Sequence, residues 1–162
     1  MTYKVLDTCC VISLFNEISS CDILFVCRDY KLTISDHVMS ELIRPIPSIK
    51  SLNTIQLSTI DKTSLFNEIS NTFPGLGQGE VSAFTLSVCL NETEKEQIVF
   101  VTDDKKAIRK LDSFRKQKDV LNRFPKIGGV LIVKLADVIK YLFTTGKIDK
   151  TVFDAIMFDL SP

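Results

Sequence analysis

Apolar and polar positions change period several times along this chain, and each change marks an element. Residues 3–6 form a short, mostly apolar run that ends at Asp7. Val11, Ile12, Leu14 and Phe15 then recur at the i, i+1, i+3, i+4 spacing of one helix face. The pattern predicts a buried strand, a turn at the carboxylate, and a helix packed back on the sheet with Asp7 or Thr8 as its N-cap. Residues 21–28 are mostly apolar and read as a continuing helix. A second strand follows over residues 30–34. Ser35 or Asp36 then caps a helix carrying His37, Val38, Met39, Glu41, Leu42 and Ile43, which Pro45 and Pro47 end. Residues 51–60 alternate as a third strand, and Asp61 caps a helix with Leu65, Phe66 and Ile69 on its apolar side. Residues 97–101 are apolar at almost every position, as in a central parallel strand buried on both faces, and stop at Thr102-Asp103-Asp104. A short last strand lies within residues 127–133. Two amphipathic helices, about 135–143 and 150–158, are separated by Gly146. The likeness of residues 13–19 to residues 64–70 reads as coincidence between two amphipathic helices, since no fixed period extends it.

Strands alternating with helices predict an α/β protein: a three-layer α/β/α sandwich on a mainly parallel central sheet. No linker divides it, so residues 1–162 read as a single domain. Composition narrows the classes. The chain has 162 residues, 45% of them hydrophobic and 25% charged, which suits an ordinary core and excludes a disordered chain. Twenty basic and twenty acidic residues give a formal net charge of +0, so global charge does not advertise nucleic-acid binding. The five cysteines are odd in number, lie in or beside apolar runs and show no CxxC spacing; they read as buried free thiols in a reducing cytosol. No basic segment with an apolar core opens the chain and no apolar run reaches about 18 residues, so a cytoplasmic protein without a membrane span is expected.

The chemistry lies in the acids. Asp7 and Asp103/Asp104 stand at the carboxyl ends of strands, where open parallel sheets gather ligands. Glu41 and Glu80 project from helices that begin near such ends. Glu80 follows the only glycine-rich segment, Gly75-Leu76-Gly77-Gln78-Gly79. That segment is GxGxG rather than the dinucleotide GxGxxG, follows a helix, and lacks the Lys-Ser/Thr of a phosphate loop. It reads as a close backbone approach that starts the helix of Glu80. Converging carboxylates repel one another, and a divalent cation with hard oxygen ligands resolves the conflict, which favours Mg²⁺ or Mn²⁺. Taken singly, each acid also fits a helix cap or a solvated residue. Asp7 and the Asp103-Asp104 pair resist that reading best, because apolar strands precede them. The basic run from Lys105 to Lys118 fits a solvated helix face or contacts to backbone phosphates, and His37 fits a surface or capping residue.

Four segments stand in order between residue 5 and about residue 110. They are Val5-Leu6-Asp7-Thr8, Ser35-Asp36-His37-Val38-Met39-Ser40-Glu41-Leu42, Gly77-Gln78-Gly79-Glu80-Val81-Ser82-Ala83-Phe84 and Val101-Thr102-Asp103-Asp104. Together they resemble the PIN domain, a metal-dependent nuclease fold found in many toxin–antitoxin toxins. The Gly-Glu form of the third segment with an Asp-Asp fourth resembles a PIN-like subgroup common in bacteria and archaea. The resemblance implies a three-layer fold whose acidic pocket binds Mg²⁺ or Mn²⁺ and cleaves single-stranded or structured RNA, with DNA left open as substrate. Asp7, Glu41 and Glu80 match the family's first three acids, and a Thr-x-Asp pattern selects Asp104 as the fourth, with Asp103 substituting or assisting as a metal ligand. Thr8 and Thr102 would orient ligands or waters. Lys105, Lys106 and Arg109 would meet the nucleic-acid backbone. The implied reaction is an endoribonuclease step in which metal-activated water attacks the phosphodiester and leaves a 5′-phosphate and a 3′-hydroxyl. For toxin members the resemblance adds an antitoxin protein as partner and a homodimer. The segment after about Ser113 carries none of the four motifs and is left to dimer contacts or a partner groove.

Other readings use the same residues. A PIN-like domain that no longer cuts, serving as a binding or scaffold module, also keeps the acids; a missing Mn²⁺-dependent thermal shift would distinguish it. A haloacid-dehalogenase-like phosphatase would use Asp7 as nucleophile but needs a second Asp where Cys9 stands. A receiver domain would carry its paired acids near the first strand rather than the late one.

Overall fold

The computed structural model describes residues 3–18, 31–55 and 63–161. Five strands form one sheet: β1 (Tyr3–Leu6), β2 (Leu32–Ser35), β3 (Asn53–Ile55), β4 (Ile98–Val101) and β5 (Leu131–Val133). Their order is β3-β2-β1-β4-β5, and every pairing is parallel. The chain steps outward from β1 to β3, crosses over, and resumes at β4 on the other side of β1. The order therefore reverses between β1 and β4, the place where open α/β sheets leave a crevice at the carboxyl ends of their strands.

Helices cover both faces, giving three layers. On one face lie α1 (Thr8–Ile12), α2 (Asp36–Leu42), α7 (Leu135–Thr144) and α8 (Lys150–Leu160), packed on Leu6, Ile34 and Val101. On the other lie α3 (Thr63–Thr72), α4 (Gln78–Thr93), α5 (Lys105–Arg115) and α6 (Lys118–Arg123), packed on Val5, Ile98 and Phe100. Phe84 of α4 meets Phe100 of β4 edge to face at 5.6 Å. From Val81 to Leu90, α4 is buried on every side. Its hydroxyls satisfy themselves within the helix: Thr85 donates to the Val81 carbonyl at 2.8 Å and Ser87 to the Ala83 carbonyl at 2.8 Å. Among the described residues no helix is long and apolar enough to cross a membrane.

Several local expectations change. Asp7 caps α1, but the α-helix lasts only to Ile12 and Ser13–Glu17 widens into a π turn, with the Ile18 N–H reaching the Ser13 carbonyl at 3.2 Å. Residues 13–17 and their look-alike in α3 therefore differ in backbone. The second strand starts at Leu32, because Lys31 sits at φ +49° and cannot extend it. Ser35 rather than Asp36 caps α2, its hydroxyl accepting from the Val38 N–H at 3.2 Å. Pro47–Ser51 is a 3₁₀ turn, so the third strand begins at Asn53 rather than at residue 51, and the part of it expected over residues 56–60 lies outside the described residues. Likewise Ile127–Gly129 is a 3₁₀ turn, leaving only Leu131–Val133 as the last strand. Gly146 separates the two last helices as expected, and at φ +74° it follows α7 as a left-handed cap. The helix expected over residues 21–28 and the Asp61 cap lie outside the described residues. Cys10 and Cys89 are buried, whereas Cys9 is exposed against expectation, because it occupies the outer face of the first turn of α1.

Candidate active site

Leu6 pairs with Val101, so the chain continues side by side into Asp7 and Thr102 at the reversal point of the sheet. The Asp7 N–H extends the ladder to the Val101 carbonyl at 3.2 Å, and Thr102 extends it to Val133 at 3.0 Å. Both side chains are fully buried. One Asp7 oxygen, Oδ1, caps α1 by accepting from the Cys10 N–H at 2.8 Å. The other, Oδ2, is buried with no hydrogen-bond partner among the described residues. Burial pushes the Asp7 carboxyl above its ordinary range, opposed by Thr102 and Cys10.

Asp104 repeats the arrangement on β4. Its Oδ1 caps α5 by accepting from Lys106 N–H at 2.8 Å and Ala107 N–H at 3.3 Å, and its own N–H donates to the Thr102 hydroxyl at 3.2 Å. Glu80 enters from the first turn of α4. Burial, then the charges of Asp104 and Asp7, push its carboxyl up to about 7, and its Oε2 is a second buried oxygen without a partner. These three acids therefore meet, and their mutual repulsion is the main feature of the site after desolvation.

Glu41 is brought to the rim differently. Its Oε2 accepts from the Thr8 hydroxyl at 2.7 Å, tying α2 to the first residue of α1. The backbone of Gly79 lies against this pair: a Cβ there would stand 1.9 Å from Thr8 Oγ1 and 3.2 Å from Glu41 Oε2. A close backbone approach was expected of the glycine segment, and Gly79 is where it occurs. Across the interface, Ser35 and Ser82 share a 2.7 Å hydroxyl contact that fixes α2 to α4.

Asp103 points elsewhere. Its Oδ1 accepts from the Leu135 N–H at 2.9 Å and so anchors the start of α7. Of the adjacent acids, Asp104 faces Glu80 and Asp103 holds two elements together. His37 keeps 37% of its side chain exposed, as a surface residue would, and stacks on Phe66 at 4.9 Å between ring centres.

Two further side chains lie beside these residues; Cys9 carried no site signal in the sequence, whereas Lys110 belongs to the basic run from Lys105 to Lys118. Cys9 adjoins the acids: although the residue is exposed, partial desolvation first, then the charges of Asp7, Glu80, Asp104 and Asp103, hold its thiol above the ordinary value. Lys110 leans over the glycine segment, its Nζ 3.6 Å from where a Gly75 Cβ would be. Lys105, Lys106 and Arg109 are exposed on α5 directly beyond Asp104 and form no salt bridge among the described residues. Farther along, Arg115 and Lys116 are taken up by Asp112, each at 2.8 Å.

Among the described residues no three carboxyl, thiol or imidazole groups form a ready-made metal cage. Mg²⁺ does not need one, since it binds through one or two carboxylates and keeps several waters. Two orphaned carboxylate oxygens beside a third acid, all hard donors, suit such a cation. No protein-family model, curated protein or solved structure matches this chain.

Proposed function

We propose that the chain is a PIN-like, Mg²⁺- or Mn²⁺-dependent endoribonuclease working in the cytoplasm. One observation carries the reading: a fully buried Asp7 with an unpartnered Oδ2 stands beside Glu80 and Asp104 at the reversal point of a parallel sheet. A buried carboxyl without a partner is relieved either by keeping a proton, as the raised Asp7 and Glu80 carboxyls do, or by a cation that completes it, and three acids together favour the cation. Asp7, Glu80 and Asp104 would hold the cation. When bound, it would neutralise the acids and supply Lewis-acid and water-activating chemistry suited to phosphodiester hydrolysis.

The chain's own residues divide the remaining work. In the metal-free protein Glu80, with its carboxyl near 7, holds a proton below neutral pH, and would give that proton up to a bound cation. The Thr8–Glu41 hydrogen bond fixes the rim acid, and the Gly79 backbone keeps both in place. Thr102 steadies the turn that presents Asp104. Lys105, Lys106 and Arg109 are placed to meet substrate phosphates as they leave the acidic crevice. A role as the toxin of a toxin–antitoxin pair, with an antitoxin protein and a homodimer, belongs to the same proposal.

The test is cleavage of a mixed RNA pool with Mn²⁺ or Mg²⁺, comparing the natural protein with Asp7→Asn and Glu80→Gln. Each substitution should lower a metal-dependent rate by at least about a hundredfold, the scale of losing a positioned catalytic group. Undiminished cleavage by both variants would overturn the site. Neither cleavage nor a Mn²⁺-dependent thermal shift in the natural protein would leave the binding or scaffold module as the better reading.

A further inference from the structure

We propose that His37, backed by Phe66, is the platform on which an unpaired nucleobase of the RNA stacks, so that the substrate is a single-stranded stretch rather than a duplex. The inference rests on the nuclease reading and deepens it. His37 is the second residue of α2, two positions beyond the end of β2. Val5 pairs with Thr33, which brings Asp7 level with Ser35 on the neighbouring strand, about 4.8 Å away. Two hydroxyl contacts tie the first turn of α2 to the first turn of α4. Ser35 meets Ser82 at 2.7 Å, and Ser82 donates to the Gly79 carbonyl, next to Glu80, at 3.1 Å. α2 and α3 lie on opposite faces of the sheet, so the contact of His37 with Phe66 closes over its carboxyl edge, beside the acids.

Three observations define what the imidazole meets. The two rings stack at 27°, with Phe66 buried and His37 partly exposed, so Phe66 holds the imidazole from beneath. Nδ1 is buried, which leaves the Nε2 side and the face away from Phe66 as the exposed part of the ring. A ring already held in place needs little further ordering when a base lands on it. Asp36 Oδ1 lies 3.3 Å from Nδ1, and a carboxylate there turns away a phosphate but not a neutral base. Phosphates have their own partners. Lys105, Lys106 and Arg109 begin α5 after β4, on the far side of Asp7 from β2. A strand crossing the crevice therefore lays its backbone on the basic side and turns a base onto His37 on the other. A base inside a duplex is already paired and stacked between its neighbours, so only an unpaired base can do this.

The test uses a fluorescent, unstructured RNA oligonucleotide of mixed sequence, its affinity read by anisotropy before Mn²⁺ is added and its cleavage afterwards. His37→Ala should weaken binding by about tenfold, the scale of one lost base stack. His37→Phe keeps a ring without the nitrogens and should bind as the natural protein does. An abasic version of the same RNA should bind the natural protein and His37→Ala equally weakly, and annealing the RNA to its complement should remove the dependence on His37. The inference fails if His37→Phe is as weak as His37→Ala, if the abasic RNA binds the natural protein as tightly as the intact one, or if His37→Ala weakens duplex and single strand alike. Cleavage that does not depend on His37 overturns this inference and leaves the nuclease reading standing. Binding through His37 without Mn²⁺-dependent cleavage supports the platform and overturns the nuclease reading, and no RNA binding at all overturns both.

Discussion

Gly79→Ala puts one methyl group where three elements meet, and the structure lets its effect be weighed. The new Cβ would lie 1.9 Å from Thr8 Oγ1, 3.0 Å from Thr8 Cβ and 3.2 Å from Glu41 Oε2. In an open helix the change would stabilise by about 1 kcal/mol, because glycine is the poorer helix former. Rotating the Thr8 hydroxyl away relieves the worst contact but breaks its 2.7 Å bond to Glu41, a loss of roughly 1 kcal/mol. The remaining contacts with Thr8 Cβ and Glu41 still require α1 or α4 to shift, and overpacking of that kind costs about 1–3 kcal/mol. The clash wins. Urea unfolding followed by circular dichroism should show Gly79→Ala destabilised by about 1–2 kcal/mol at an unchanged denaturant slope. The decisive comparison is the cycle with Thr8→Ala, which removes the nearest atom. In that background the hydroxyl bond is no longer there to lose, so the Gly79→Ala penalty should shrink by about 1 kcal/mol, which is the coupling of the pair. Additive effects, or a Gly79→Ala protein more stable than its parent, would refute the packing described for this corner.

Three further outcomes follow from the site. Glu80 titrates near 7 rather than at its ordinary 4.5, so the folded, metal-free protein binds a proton that the unfolded chain releases. Stability should therefore fall as pH rises from about 4.5 to about 7, by roughly 2 kcal/mol after allowance for partial exposure; equilibrium unfolding across that range should show the decline, and Glu80→Gln should flatten it. Asp103→Ala should lower stability by about 1 kcal/mol through the lost bond to Leu135 yet keep the Mn²⁺-dependent thermal shift, whereas Asp104→Ala should abolish that shift. Replacing Lys105, Lys106 and Arg109 together by Ala should weaken single-stranded RNA binding and reduce the slope of log affinity against log salt by about 2, measured by fluorescence anisotropy.

The parts of this fold that follow from near neighbours were legible in the amino-acid order. β1 ending at Asp7, β4 ending before Asp103-Asp104, and the two last helices around Gly146 all stand where period and capping chemistry predict. Departures arise where a few residues choose between similar local forms. Two 3₁₀ turns displace strand ends, and a π turn replaces the second half of an amphipathic pattern that α3, with the same residues over 64–68, completes as an α-helix. The candidate site divides the same way. That acids gather at strand ends was readable, but the separate tasks of Asp103 and Asp104 were not. Asp103 is committed to an N–H 32 residues away, and no local pattern encodes that. Gly79 was legible as a place of close approach; its neighbours, Thr8 and Glu41, come from two other helices.

The all-round burial of α4 has a consequence for how the molecule is assembled. An isolated segment with no wet face gains little by becoming helical in water and is prone to stick to other chains. α4 lies against β1, β2 and β4 and is flanked by α2 and α3, so its shelter comes from parts of the chain made both before and after it. During synthesis it emerges before β4 and the 3₁₀ turn Ile127–Gly129 exist to enclose it. The interval between residue 93 and residue 129 is thus the period of greatest exposure. The three hydroxyls at Ser82, Thr85 and Ser87, each donating to a carbonyl of its own helix, moderate that hazard. They lower the greasiness of the segment while it waits, and leave no unmet polar group once the sheet closes over it.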